Sequence, residues 1–190
     1  MAEEPGGRGP RFYPLASLFY LLLAIAGVVG LGAERGRLTL GLLFDRGSWW
    51  IDLAAGAACG AALLALWAGC GRWSAGARRV EAEIAARLGD LTAGEALALA
   101  AVSALAEEIA FRGALQGWLG LPAAAALFAL AHLGPARHFL WWTLWALAGG
   151  LALGALVAER GTLGAAIVAH LLINGVQLER LRRRAAPSAA

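Results

Sequence analysis

The sequence predicts an all-α protein, a polytopic membrane helix bundle with about six transmembrane helices plus one interfacial amphipathic helix. Three observations predict it. Of the 190 residues, 60% are hydrophobic and only 15% are charged, whereas soluble domains run near 25% charged. The apolar residues gather in blocks close to the roughly 20 positions a helix needs to cross a hydrocarbon core about 30 Å thick. The basic residues, all arginine, fall mostly between those blocks and not in one stripe. An ordinary water-soluble globule is excluded, and so is a disordered chain, which would be poor in apolar residues. A net charge of +3 does not make a nucleic-acid binder when its arginines are scattered in this way. Two cysteines are too few for a disulfide scaffold or a four-thiolate zinc site.

The chain reads as one integral membrane domain over residues 1–190. Candidate spans run from Tyr13 to Ala33, Ser48 to Cys70, Leu97 to Trp118, Leu121 to Leu133, Phe139 to Ala158 and Leu163 to Leu178. The first is longer than the 7–15-residue apolar region of a signal peptide and is read as an anchor. The second opens on Trp49 and Trp50, an interfacial pair. Cys59 and Cys70 share that helix about 16 Å apart, too far to bridge, and are packing residues. Between the second and third spans, over residues 71–93, Trp73, Ala77, Val80, Ile84 and Leu88 recur at helical spacing, with Arg79, Glu83 and Arg87 on another face. That pattern is an amphipathic connector lying on the inner leaflet. With the N-terminus inside, Arg8, Arg11, Arg72, Arg78, Arg79, Arg87, Arg137, Arg180, Arg182, Arg183 and Arg184 are inner, against Arg35, Arg37, Arg46 and Arg160 outside. The positive-inside rule therefore places both termini in the cytoplasm, and the expected location is a cytoplasmic (inner) membrane of bacterial type. The basic tail after Glu179 sits on anionic head groups.

Ionisable groups at membrane depth cost about 2.5–3.5 kcal/mol each on insertion scales and are functional candidates by default. Here they are Glu107, Glu108, Arg112, His132 and His170, joined by the amide Asn174. Asp52 and Glu95 lie close to span ends and are read as structural, as is His138 in the short inner loop. Glu108 and Arg112 are four residues apart and share one helix face, so they can form an ion pair. Glu107 is turned about 100° away and lacks that partner. His170 and Asn174 also share one face. Glu107 is twelve residues before the outer turn at 119–120 and His132 twelve residues after it. In an antiparallel pair the two are level, about 18–20 Å from the outer end. Asn174 lies at a similar depth below the turn at Arg160 and Gly161, and His170 is one turn higher. A carboxylate in a low-dielectric pocket is an effective general base, an imidazole can share its water, and imidazole and amide N–H groups can stabilise an oxyanion. These are the parts needed to hydrolyse an amide. Ser103, one turn from Glu107, has no histidine on its own helix to make a better triad.

Glu107-Glu108-Ile109-Ala110-Phe111-Arg112 forms an E-E-x-x-x-R motif, Phe128 to His132 an F-x-x-x-H motif, and His170 to Asn174 an H-x-x-x-N motif. In this order and separation they resemble the CPBP family of intramembrane proteases, which includes CAAX proteases and bacteriocin-processing enzymes. The likeness covers roughly residues 94–178, including the Gly150 to Gly154 segment and the turn Arg160-Gly161-Thr162-Leu163; Leu147 stands where the family often has an aromatic residue. The resemblance implies a glutamate-dependent intramembrane endopeptidase that cuts a membrane-associated or C-terminally anchored protein substrate. Glu107 and His132 would activate water, Glu108 and Arg112 would hold the site, and His170 and Asn174 would stabilise the oxyanion. No cofactor is expected, although the ligand types do not exclude zinc. The expected partners are the lipid bilayer and a protein or peptide substrate with a membrane-associated segment. A non-catalytic scaffold or immunity protein, or a proton-coupled transporter, would use the same polar set for assembly or for a proton relay.

Overall fold

The computed structural model describes residues 12–36, 40–44, 47–88 and 91–185. Arg8, Arg11, Arg37 and Arg46, used in the orientation count, lie outside them. Among the described residues there is no strand. The helices are α1 (Phe12–Arg35), α2 (Trp49–Trp73), α3 (Ala75–Leu88) and α4 (Ala93–Glu107). A π-helical stretch, Glu108–Leu115, continues α4 into the single turn α5 (Gln116–Leu119). Then come α6 (Leu121–Ala131), α7 (Leu140–Arg160) and α8 (Gly164–Ala185).

Thr92 caps α4 by accepting a hydrogen bond from the Glu95 amide, while the Glu95 side chain reaches back to the Thr92 amide. That capping box fixes where α4 starts and confirms Glu95 as structural. Gly120, at a φ of +79°, turns the chain between α5 and α6, with Pro122 in the first turn of α6. Gly161, at a φ of +71°, closes α7. Both turns stand where the depth count from sequence placed them.

Three helices are long and apolar enough to cross a membrane, α1, α2 and the stretch Arg137–Arg160; a bent pair, α3 with Ala93–Leu119, makes up to four. The expected count of six is therefore not reached on length and composition. The site residues themselves explain much of the shortfall. Glu107, Glu108 and Arg112 interrupt the third expected span, and His170, Asn174 and Gln177 dilute the sixth. Helix α6 has 11 residues, about 16 Å at 1.5 Å per residue. The surface is inverted relative to a soluble protein. Leu15, Leu18, Phe19, Leu21, Leu22, Ile25 and Val29 are all exposed along α1, an apolar band far larger than water tolerates and suited to lipid.

Small residues set how closely the helices approach. A Cβ on Gly56 would lie 2.4 Å from the Ala165 carbonyl oxygen, and one on Gly60 2.9 Å from that of Ala169. Helices α2 and α8 thus run parallel in backbone contact, a small-xxx-small crossing that needs no hydrophobic driving force. On α7, a Cβ at Gly150 would meet the Ala125 backbone at 3.1 Å, and the Gln116 side-chain amide donates to the Gly154 carbonyl at 2.9 Å. At one end, Asp52 is fully buried and accepts Arg160 Nε at 2.6 Å and Thr162 Oγ1 at 3.2 Å. Asp52 is structural, as its position near a span end suggested.

The connector α3 differs from a helix merely resting on the leaflet. Ala77, Val80, Ala85 and Leu88 are buried in the bundle, while Trp73 belongs to the end of α2 and is 90% exposed. Glu81 is buried too, accepting Trp67 Nε1 at 2.9 Å and Arg180 Nη2 at 3.3 Å, with Arg184 as a further partner. This buried carboxylate clamps α3 to the end of α8. His138 contacts Glu83 of α3 at 2.6 Å, away from the polar cluster.

Gly56→Ala must push α2 away from α8, because the obstruction is backbone. We expect a loss of about 1–3 kcal/mol, typical of overpacking. Gly69→Ala, on the same helix with nothing within 4 Å of its Cβ, should leave thermal unfolding in detergent unchanged. Equal melting of the two variants would contradict the proposed α2–α8 crossing.

Candidate active site

The polar residues come together in two layers. The inner layer is buried. Glu108 is fully buried and Arg112 is 2% exposed, with Arg112 Nη1 donating to Glu108 Oε1 at 2.9 Å. The pair expected from the i,i+4 spacing is present, within the π-helical stretch and not in a regular α-helix. The Arg112 guanidinium lies over the Phe128 ring at 4.3 Å, a cation–π contact that gains strength from desolvation. His170 Nδ1 is 2.6 Å from the same Glu108 oxygen. A carboxylate only accepts, so Nδ1 carries a proton there.

The outer layer lines a cavity of about 410 Å³ whose walls include Glu107, His132, His170 and Asn174, together with Ser103 and Tyr20. Four residues from three separate sequence segments therefore meet at one space, as their common depth suggested. Glu107 Oε2 has no hydrogen-bond partner among the described residues, and His170 Nε2 lies 3.7 Å from it. Glu107 does not share Arg112 with Glu108, as its turn about the helix implied, but it faces a histidine instead. The imidazole stands between two carboxylates, hydrogen-bonded to Glu108 and facing Glu107. With His170 protonated and both carboxylates ionised, Glu107, Glu108, Arg112 and His170 carry no net charge, the condition a low-dielectric site favours.

His132 sits just past the end of α6, where Gly134 and Pro135 prevent the helix from continuing. Its Nδ1 is 2.7 Å from the Phe128 carbonyl; the carbonyl accepts, so Nδ1–H donates and Nε2 is left for other partners. Thr143 holds the His132 carbonyl at 3.2 Å, tying this corner to α7. Asn174 donates from Nδ2 to Ser103 Oγ at 2.9 Å, and Ser103 in turn donates to the Ala100 carbonyl. Ser103, which has no histidine on its own helix, orients the amide.

Four neighbours carry no role in the sequence reading. Phe128 joins the layers, with its ring centroid 4.5 Å from His132, 5.0 Å from Phe111 and 6.1 Å from His170. Trp142 flanks His132 at 5.9 Å. Gln177 lines the cavity's far wall. The Tyr20 hydroxyl faces the Glu107 carboxylate. The available cue for Tyr20 was a phenol hydroxyl in mid-span, which needs a partner when buried. No group of three His, Cys, Asp or Glu side chains among the described residues is arranged to hold a metal ion.

Residues 90–176 match the family described as type II CAAX prenyl endopeptidase Rce1-like. The matched stretch holds all six residues of the polar set and stops short of α1, α2 and α3. The resemblance to the CPBP family of CAAX proteases is shown over that stretch. No curated protein and no solved structure matches the chain at a significant level.

Removing Arg112 leaves Glu108 buried with only His170 to balance it. Arg112→Ala should lower stability by about 3–5 kcal/mol, the usual cost of stranding one partner of a buried pair. Thermal unfolding of the purified protein in detergent measures this. Melting unchanged from wild type would show that the pair does not hold the site together.

Proposed function

We propose that this chain is an intramembrane endopeptidase that hydrolyses a peptide bond of a membrane-associated or C-terminally anchored protein. One observation carries the proposal: Glu107, His132, His170 and Asn174 line a single cavity, backed by a buried Glu108–Arg112 pair that also holds His170. The match to a family of CAAX endopeptidases supports the reaction class.

In the proposed reaction, Glu107 takes a proton from a water shared with His132 Nε2, and the oxygen attacks the scissile carbonyl carbon. The tetrahedral oxyanion accepts hydrogen bonds from His170 Nε2–H and an N–H of Asn174. For His170 to donate there, Nε2 must carry a proton as well as Nδ1, which donates to Glu108. Glu107 then delivers its proton to the leaving nitrogen as the C–N bond breaks, giving an amine and a new carboxylic acid, which passes its proton to the amine as both reach water. No metal takes part in these steps. The polar helices α4 and α8 cross the bilayer beside α1, α2 and α7, with Glu107, His170 and Asn174 turned into the cavity. The arginine distribution supports cytoplasmic termini.

Two probes test the activity in liposomes holding the purified chain. One is a peptide ending in a prenylated C-a-a-X sequence; the other is a reporter with a C-terminal apolar span and basic tail. Products are read by mass spectrometry. Glu107→Gln should abolish cleavage while expression and insertion stay near normal, and retained turnover would remove Glu107 from the role of base. Asn174→Ala should reduce kcat about 10²–10³-fold with little change in KM, the usual result of losing one oxyanion donor. Normal turnover would remove the amide from the oxyanion site.

Metal dependence is tested separately. Exhaustive dialysis against a strong chelator should leave cleavage intact. Stoichiometric zinc, with activity lost on stripping and restored on adding it back, would overturn the glutamate–histidine mechanism.

A further inference from the structure

Tyr20 is on α1, outside the stretch that matches the protease family. Two glycines bring α1 against the site. A Cβ on Gly27 would lie 2.9 Å from Ala110 Cα, and one on Gly30 3.1 Å from Ala114 Cβ. The helices run parallel, with a sequence offset of 83 to 84 residues in these two contacts. Seven residues before Gly27, about two turns and 10 Å down the axis, Tyr20 is therefore level with Ser103. The Glu107 carboxylate belongs to a residue one turn, about 6 Å, further along, within reach of the tyrosine side chain. There the Tyr20 hydroxyl faces it. The Phe19 ring meets that of Tyr20 edge-on at 5.2 Å.

Tyr20 also stands at a junction. A second cavity of about 540 Å³ lies on the Phe111 and Pro135 side, and Tyr20, Ile84, Glu107, His132 and Trp142 line both spaces. Glu107 is thus open to both cavities and carries an unpaired oxygen, Oε2. His170 Nε2, 3.7 Å away, draws that oxygen toward a closed ion pair. A carboxylate caught in such a pair is a weaker base toward water. The other polar or charged groups on the two cavity walls are His132 just past α6, Trp142 of α7, Arg87 of α3, and Ser103, Asn174 and Gln177, with the Glu108–Arg112 pair following in the chain. Of all these, Tyr20 is the hydroxyl that meets the Glu107 carboxylate, and it shares both cavity walls with it.

We propose that Tyr20 is a positioning residue for Glu107, its hydroxyl donating to the carboxylate so that the carboxylate stays at the cavity and Oε2 does not close onto His170. The inference rests on the reading of Glu107 as the base. It deepens that reading by bringing in a helix that carries none of the three motifs.

The test reads the carboxylate directly and needs no substrate. Dicyclohexylcarbodiimide, an apolar carbodiimide, modifies carboxyl groups in their protonated form. Full-length protein in liposomes is labelled over a range of pH, and modification of the Glu107 peptide is quantified by mass spectrometry, with Glu107→Gln as the blank. A hydroxyl donating to a carboxylate favours the ionised form. Tyr20→Phe keeps the ring and removes that donor, so labelling should persist to higher pH. The expected shift is about one pH unit, in the range of one hydrogen bond to a charged group. Phe19→Leu loosens the same packing but keeps the hydroxyl, and its profile should match wild type. An unchanged profile in Tyr20→Phe overturns the proposal. So does a rise by the same factor at every pH, which reports a loosened helix and not a lost donor. If Tyr20→Phe does not fold, Tyr20→Met, which also lacks the donor, takes its place: a profile shifted to higher pH supports the proposal, and an unchanged one overturns it. Cleavage by Glu107→Gln would sink the base assignment, whereas the labelling profile answers for Tyr20 alone.

Discussion

A bilayer does not tolerate unbalanced charge, and Glu108 is the group around which this protein strikes its balance. Its single oxygen Oε1 accepts from both Arg112 and His170. Coulomb attraction is strong where the dielectric is low, but so is the cost of leaving any member unpaired. The cluster therefore fixes more than itself. It ties the π-helical stretch to α8, and through the Phe128 ring under Arg112 it draws α6 against both. The cavity is the space left once those three helices are held. Glu107, one residue earlier, is carried to the edge of that space by the same helix that buries its neighbour.

Much of this was legible in the sequence. A helix rises a fixed distance per residue, and Gly120 and Gly161 mark the turns, so depth could be counted and the meeting of Glu107, His132, His170 and Asn174 foreseen. The Glu108–Arg112 pair was legible because residues four apart share a face in α- and π-geometry alike. What depth does not fix is the rotation of one helix about its axis relative to another. The His170–Glu108 bond depends on that rotation, and so does the approach of Tyr20, which comes from Gly27 meeting the Ala110 backbone. Glu81 was hidden for a related reason, because its partners Trp67, Arg180 and Arg184 lie on two other helices. Trp73 misled because it continued the apolar spacing of α3 while belonging to the end of α2. The six-span count fell short partly because hydropathy penalises the very residues that make the cluster.

Chemistry and enclosure come from different parts of the chain. The six residues of the polar set all fall within the family-matched stretch, but Phe12, Ala16, Phe19 and Tyr20 of α1 and Ile84 and Leu88 of α3 wall the same cavity. The clamp at Glu81 holds α3 in that wall by fastening it to the end of α8. Variation in α1 and α3 can therefore reshape what the cavity admits without disturbing the charge cluster at its base.

The π-helical stretch also constrains how such a sequence can drift. Hydrogen bonds from residue i to i+5 let one extra residue into a turn, so the stretch sets the angular phase between α4 on one side and α5 on the other. Upstream, that phase aims Glu107 at the cavity; downstream, it aims Gln116 at the Gly154 carbonyl. Substitutions within Glu108–Leu115 can be absorbed one side chain at a time. A codon gained or lost there would instead rotate one side against the other by about 100°, leaving either the carboxylate or the α7 contact facing lipid. The segment is open to exchange of letters but closed to changes in their number.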